Sequence, residues 1–116
     1  MLPRVNRIEC NEADYLLFAT KDVITNVLYN TGQWEQYLIE ISKQFIRDSN
    51  NPIVIDVGAN LGAYSIPLAK SIQDVDGKVI GFESQRIVFF QFCGNVILTC
   101  SLETYHWLRS SPVLQG

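Results

Sequence analysis

One run of eleven residues, Pro52-Ile53-Val54-Ile55-Asp56-Val57-Gly58-Ala59-Asn60-Leu61-Gly62, limits what this chain can fold into more than any other stretch. Ile53 to Val57 is short enough for a strand and too apolar for one with a wet face, so it reads as a central strand covered on both sides. Asp56 falls near its carboxyl end, and the turn from Gly58 to Gly62 then carries the backbone into a helix. In open α/β sheets that is the crevice where ligands bind. Gly58 can adopt positive φ and let main chain approach a ligand, while Gly62 lets the helix pack closely on the strand. Asn60 is among the few other residues that tolerate the left-handed region.

Lys78-Val79-Ile80-Gly81-Phe82 predicts a second strand, introduced by the turn residues Asp76-Gly77. Glu83 then stands at its carboxyl end, twenty-one residues beyond Gly62 and beside the glycine turn. A carboxylate there can accept hydrogen bonds from both hydroxyls of a ribose. Two cofactors share this logic, and Asn60 favours one of them. A dinucleotide site wants glycine at the second fingerprint position so that main chain can touch a pyrophosphate. Here that position carries a side chain, which suits S-adenosylmethionine, a nucleoside without a pyrophosphate. Its ribose would bind Glu83, and the helix amino end after Gly62 could face its carboxylate.

The segment Val54 to Ser65, the spaced Val79-Ile80-Gly81-Phe82-Glu83 and an apolar helix ending in Asn95 together resemble the FkbM family of S-adenosylmethionine-dependent methyltransferases. Upstream, Gly32-Gln33-Trp34-Glu35 is similar to the glycine-tryptophan-acid segment often found ahead of that core, so the resemblance covers roughly residues 14–99. Ser84 stands where the family usually has proline. The resemblance implies an α/β, Rossmann-like class I methyltransferase fold with the donor held on Asp56, Gly58, Ala59, Asn60, Gly62 and Glu83. It also implies a hydroxyl acceptor on a sugar or secondary metabolite, hence a small-molecule or glycan partner. No catalytic base is recognisable.

At 116 residues the chain is short for that fold, and the expected sheet stops after the second core strand and its helix. The expected organisation is an N-terminal hairpin and helices over 1–50, the first part of the donor-binding domain over 51–100, and a tail from 101 to 116 without assigned structure. A net charge of −3, with basic residues scattered singly, gives no field to gather nucleic acid. The apolar run from Ile87 to Cys100 is broken by Gln91, Gly94 and Asn95, and the amino end lacks a signal peptide's apolar core, so a cytoplasmic protein that does not enter the membrane is expected. Cys10, Cys93 and Cys100 have neither zinc spacing nor an even count for disulfides, so reduced cysteines and no metal are expected.

In chain order, Arg4–Ile8 and Tyr15–Ala19 predict a hairpin about Asn11–Asp14. Asp22 caps a helix that ends at Gly32. A second helix, Trp34 to about Arg47, carries Trp34, Tyr37, Leu38, Ile41 and Phe45 on one stripe, which predicts that this face packs on the sheet. Trp34 is expected in the core rather than at the edge of the cofactor cleft. Pro67 requires the helix after Gly62 to start late or kink. Arg86–Leu98 reads as a helix apolar almost all round and so covered on most sides. His106 lies in the unmatched tail and is expected to be solvated. Two other functional readings are a truncated, non-catalytic remnant that binds a nucleoside or a partner chain, and an NAD-type dinucleotide-binding domain. An uncovered sheet edge would also favour self-association.

Overall fold

The computed structural model describes residues 5–18, 22–99 and the backbone of 108–112. Arg4, Ala19, Cys100 and His106 lie outside the described residues. The chain opens with β1 (Val5–Glu9) and β2 (Asp14–Phe18), paired antiparallel from Val5↔Phe18 to Glu9↔Asp14. Helix α1 (Val23–Thr31) starts where the Asp22 carboxylate accepts from the Thr25 N–H at 2.8 Å, and it stops at Gly32, whose φ is 73°. Asp22 thus satisfies one of the free N–H groups of the first turn, and glycine supplies the left-handed stop.

After α2 (Gln36–Ile46) comes β3 (Ile53–Val57), then α3 (Ser65–Ser71), β4 (Lys78–Glu83), α4 (Arg86–Thr99) and β5 (Leu108–Pro112). Pro67 is the third residue of α3, inside the first turn, where its missing N–H has no partner to lose. The second sheet is parallel in the order β3-β4-β5, with Ile53↔Lys78 through Val57↔Phe82 and Val79↔Leu108 through Glu83↔Pro112 in register. This corrects the expectation that the sheet ends after its second core strand: part of the tail forms a third strand. Leu-Arg-Ser-Ser-Pro has no branched run to announce it, and its pairing comes from the edge that β4 offers. Proline is tolerated here because β5 is an edge strand.

One core spans the segments on either side of residue 50. Tyr15 and Leu17 of β2, Leu28 of α1, Ile66 of α3 and Phe92 of α4 belong to the same buried cluster. Two buried amides of α4 bind the hairpin to it. Gln91 donates to the Leu16 carbonyl at 3.0 Å, and the Asn95 carbonyl oxygen accepts from the Leu16 N–H at 2.6 Å. The Asn95 amide nitrogen also donates to the Leu61 carbonyl at 2.9 Å, so a single side chain bridges the hairpin and the glycine turn.

Three packing expectations are corrected. Strand β3 is covered on one face: Val54 and Asp56 are half-buried, but Ile55 and Val57 are 61% and 80% exposed, and Ile53 is similar. In β4 the buried side chains are Val79 and Glu83, so the helices lie against the face that β3 shares with them. The stripe of α2 does not face the sheet. Helix α2 packs mainly on α3, burying Ile39 and part of Ile46 and leaving Tyr37, Leu38, Ile41 and Phe45 exposed, the last at 83%. Nor is α4 covered on most sides, since Ile87, Phe90 and Ile97 are exposed. The apolar periodicity is present in both helices, but these surfaces exceed what the described strands and helices cover.

Candidate functional site

The turn after β3 is strapped to the end of β4. The N–H groups of Gly58 and Ala59 both donate to the Phe82 carbonyl at 2.9 Å, an arrangement that needs Gly58 at φ 83°. Asn60 follows at φ 54° and accepts from the Leu61 N–H at 2.8 Å through its own side chain, a local bond that favours asparagine in this conformation. Gly62, at φ 98°, sits where a Cβ would lie 2.7 Å from Ile66 and 2.8 Å from Phe92. A Cβ on Gly81 of β4 would meet the same ring at 2.5 Å. Phe92 therefore fills the space that two glycines leave between turn, strand and α4.

Glu83 is 7% exposed, and both of its oxygens are engaged: one accepts from the Asn60 N–H at 2.9 Å, the other from the Gln85 N–H at 2.8 Å. The carboxylate thus holds the turn in place. Each oxygen keeps a second lone pair, which is the capacity a pair of ribose hydroxyls would use. Asp56 accepts from the Ser65 hydroxyl, so the first residue of α3 is tied to the last turn of β3.

At this turn lies an open cleft of about 260 Å³ lined by Asp56, Gly58, Ala59 and Asn60, by Ile24, Trp34, Glu35 and Leu38, and by Ala63 and Tyr64. A Cβ on Gly58 would meet nothing within 4 Å, so main chain is open to a ligand there. The cleft brings together four of the six predicted site residues. Gly62 and Glu83 are not among its lining residues, although Glu83 holds the Asn60 N–H of the turn. Trp34 combines the two roles weighed for it, half-buried against the core and lining the cleft. Glu35 is added by the structure, and the tryptophan-acid pair ahead of α2 was the signal for it; Tyr64, which stands two residues after Gly62 and is within reach of a ligand by sequence, also lines the cleft. Tyr64 shares a 2.6 Å hydrogen bond with Ser42 of α2.

A larger cavity, about 390 Å³, lies between α2 and the carboxyl end of α3, lined by Lys43, Arg47, Asp74 and neighbours. It is at the amino end of the strands, where Asn51 bonds Val75, and shares no residue with the turn. Among the described residues no group of three potential metal ligands is present. Burial raises the Cys10 thiol above its ordinary range, as suits an inert, partly buried cysteine. Among the described residues no helix is long and apolar enough to cross a membrane.

No family model and no curated protein matches the sequence. Among solved structures, the chain is similar to P. horikoshii TYW2 in complex with MeSAdo over 93% of its own length, at a TM-score of 0.59 and 16% identity. It spans 35% of that protein. It is also similar to the glycopeptide N-methyltransferase MtfA complexed with sinefungin, over 62% of this chain and 28% of that one, at a TM-score of 0.48 and 15% identity. The likeness to TYW2 shows a shared fold.

Proposed function

We propose that this chain is the donor-binding part of a cytoplasmic S-adenosylmethionine-dependent methyltransferase of FkbM type, whose acceptor is a hydroxyl of a small molecule or glycan rather than nucleic acid. The observation that carries the reading is Glu83, latched beneath the glycine turn at the carboxyl ends of two adjacent parallel strands, with Gly58 open to the cleft above it. That TYW2, which shares the fold, is solved with MeSAdo supports a nucleoside ligand of this kind. When bound, the donor supplies an activated methyl group for in-line displacement by an acceptor oxygen. The chain's own residues hold the ribose on Glu83 and present the backbone of Gly58 and Ala59 to the rest of the donor. Their contribution is placement, which accounts for much of the rate in such displacements.

Calorimetry tests this directly. S-adenosylhomocysteine should bind in preference to NADH, and Glu83→Ala should weaken it by roughly 1.5–3 kcal/mol, the range for hydrogen bonds to a charged group. Preference for NADH would replace the methyltransferase reading with the dinucleotide one.

The open face of β3 and its edge, unpaired among the described residues, favour a second reading, a non-catalytic unit that binds a partner chain. Parallel sheets are ordinarily covered on both faces, and a strand edge beside Ile55 and Val57 is a template for pairing. Self-association through this surface is expected. In sedimentation velocity, the average mass of the 116-residue chain should rise with concentration, and Ile55→Lys should return it to the monomer value. A wild-type mass that stays monomeric at high concentration would remove this reading.

A further inference from the structure

We infer that Glu35 is a specificity-determining residue of the cleft, its carboxylate receiving the cationic ammonium at the amino-acid end of the methyl donor; the inference rests on the donor-binding reading above. The residues lining the cleft carry two formal charges, Glu35 and Asp56, both negative, with no lysine, arginine or histidine among them. A cleft of that sign suits a ligand that brings positive charge, as a sulfonium and an ammonium do, and repels a pyrophosphate. The two carboxylates differ in what already holds them. Asp56 is bonded to the Ser65 hydroxyl, whereas Glu35, at the amino-terminal cap of α2, makes no side-chain capping bond.

The backbone at Glu35 adds a second reason. Its φ and ψ are 43° and 46°, a left-handed conformation that glycine or asparagine would adopt at lower cost. Left-handed φ is taken by glycine at 32, 58 and 62, by asparagine at 51 and 60, and by a carboxylate at 35 and, in the turn before β4, at 76. What separates Glu35 from Asp76 is that it lines the cleft, beside Trp34, and makes no capping bond for the helix it precedes. Position agrees with this division of labour. Glu83 holds the Asn60 N–H of the turn, where the ribose end is expected, and Glu35 lines the cleft that Gly58 and Asn60 also line, where the amino-acid end would lie.

A carboxylate at a helix amino end also interacts favourably with the helix dipole, a purely structural role that would change stability but not ligand preference. The experiment separates the two with a pair of ligands. S-adenosylhomocysteine carries the amino-acid end, and 5′-methylthioadenosine lacks it while keeping the nucleoside. In calorimetry, Glu35→Gln should weaken S-adenosylhomocysteine about 5–20-fold, around and below the lower end of the range for charge-assisted bonds because the site is open to solvent, and leave methylthioadenosine unchanged. Glu35→Asp, which keeps the charge, should recover part of the loss. Equal affinities of wild type and Glu35→Gln for S-adenosylhomocysteine would overturn the assignment. A parallel loss for both ligands would also overturn it, because that is the signature of a loosened α2. If wild type binds neither ligand, the donor-binding reading itself fails and this inference falls with it.

Discussion

Gly62→Ala is expected to destabilise the protein by about 3–5 kcal/mol, a large part of the total stability of a domain of this size. Two costs combine. Alanine at φ 98° is strained by its backbone alone, and its Cβ would press on Ile66 and Phe92 inside a packed core. Gly58→Ala is the control, because φ is 83° but a Cβ there meets no neighbour, so roughly 1–2 kcal/mol of backbone cost is expected by itself. Urea denaturation of both variants therefore isolates the packing conflict with Ile66 and Phe92 from the backbone cost. Phe92→Leu should relieve Gly81→Ala, whose conflict is with the ring and the Ala59 methyl, more fully than it relieves Gly62→Ala. If Gly62→Ala and Gly58→Ala unfold at the same urea concentration, the close approach of α4 to the turn is wrong.

Asn95→Leu should cost roughly 2–4 kcal/mol, although it replaces a polar side chain by an apolar one in a buried helix position. Asn95 is fully buried and satisfies the Leu16 N–H and the Leu61 carbonyl together; leucine leaves both without a partner. Asn95→Asp keeps the acceptor for Leu16 but sets a carboxylate oxygen against the Leu61 carbonyl, so it should not rescue. Native-state hydrogen exchange adds a residue-level readout: the Leu16 amide should exchange faster in Asn95→Leu and stay protected in Asn95→Asp relative to it. Unchanged Leu16 protection in the leucine variant would show that the hairpin is held by other contacts.

What could be read from the sequence was local chemistry. The branched run at 53–57, the turn glycines, the second strand ending at Glu83, the Asp22 cap and the Gly32 stop each depend on neighbours a few residues away, and all are found where expected. Strand β5 was not legible, because Leu108 to Pro112 becomes a strand only through the edge of β4. The faces of α2 and α4 were legible as apolar but not as to what they meet. A stripe such as Tyr37, Leu38, Ile41 and Phe45 states that the helix has an apolar side, and its burial depends on a surface that must come from elsewhere. The role of Asn95 did leave a trace. Gln91 and Asn95 stand four apart in an otherwise apolar helix, the spacing of two buried amides facing one neighbour.

The bridge from Asn95 to Leu16 spans 79 positions of sequence, and this has a consequence for synthesis. A two-stranded hairpin is marginal by itself in water, so β1 and β2 need the amides of α4 to become firm. Chains are made amino end first at about 5–20 residues per second, which puts roughly 4–16 s between the appearance of Leu16 and that of Asn95. During that interval the ties available to the hairpin are those to α1 and its stop: the Cys10 thiol to the Leu28 carbonyl at 3.9 Å, the Asn6 amide to the Tyr29 hydroxyl at 2.8 Å, and then the Asn11 N–H to the Gly32 carbonyl at 2.8 Å. The pace of translation between α1 and α4 thus sets how long Tyr15 and Leu17 stay wet on the ribosome, and pauses in that stretch are where a nascent chain is most open to chaperones.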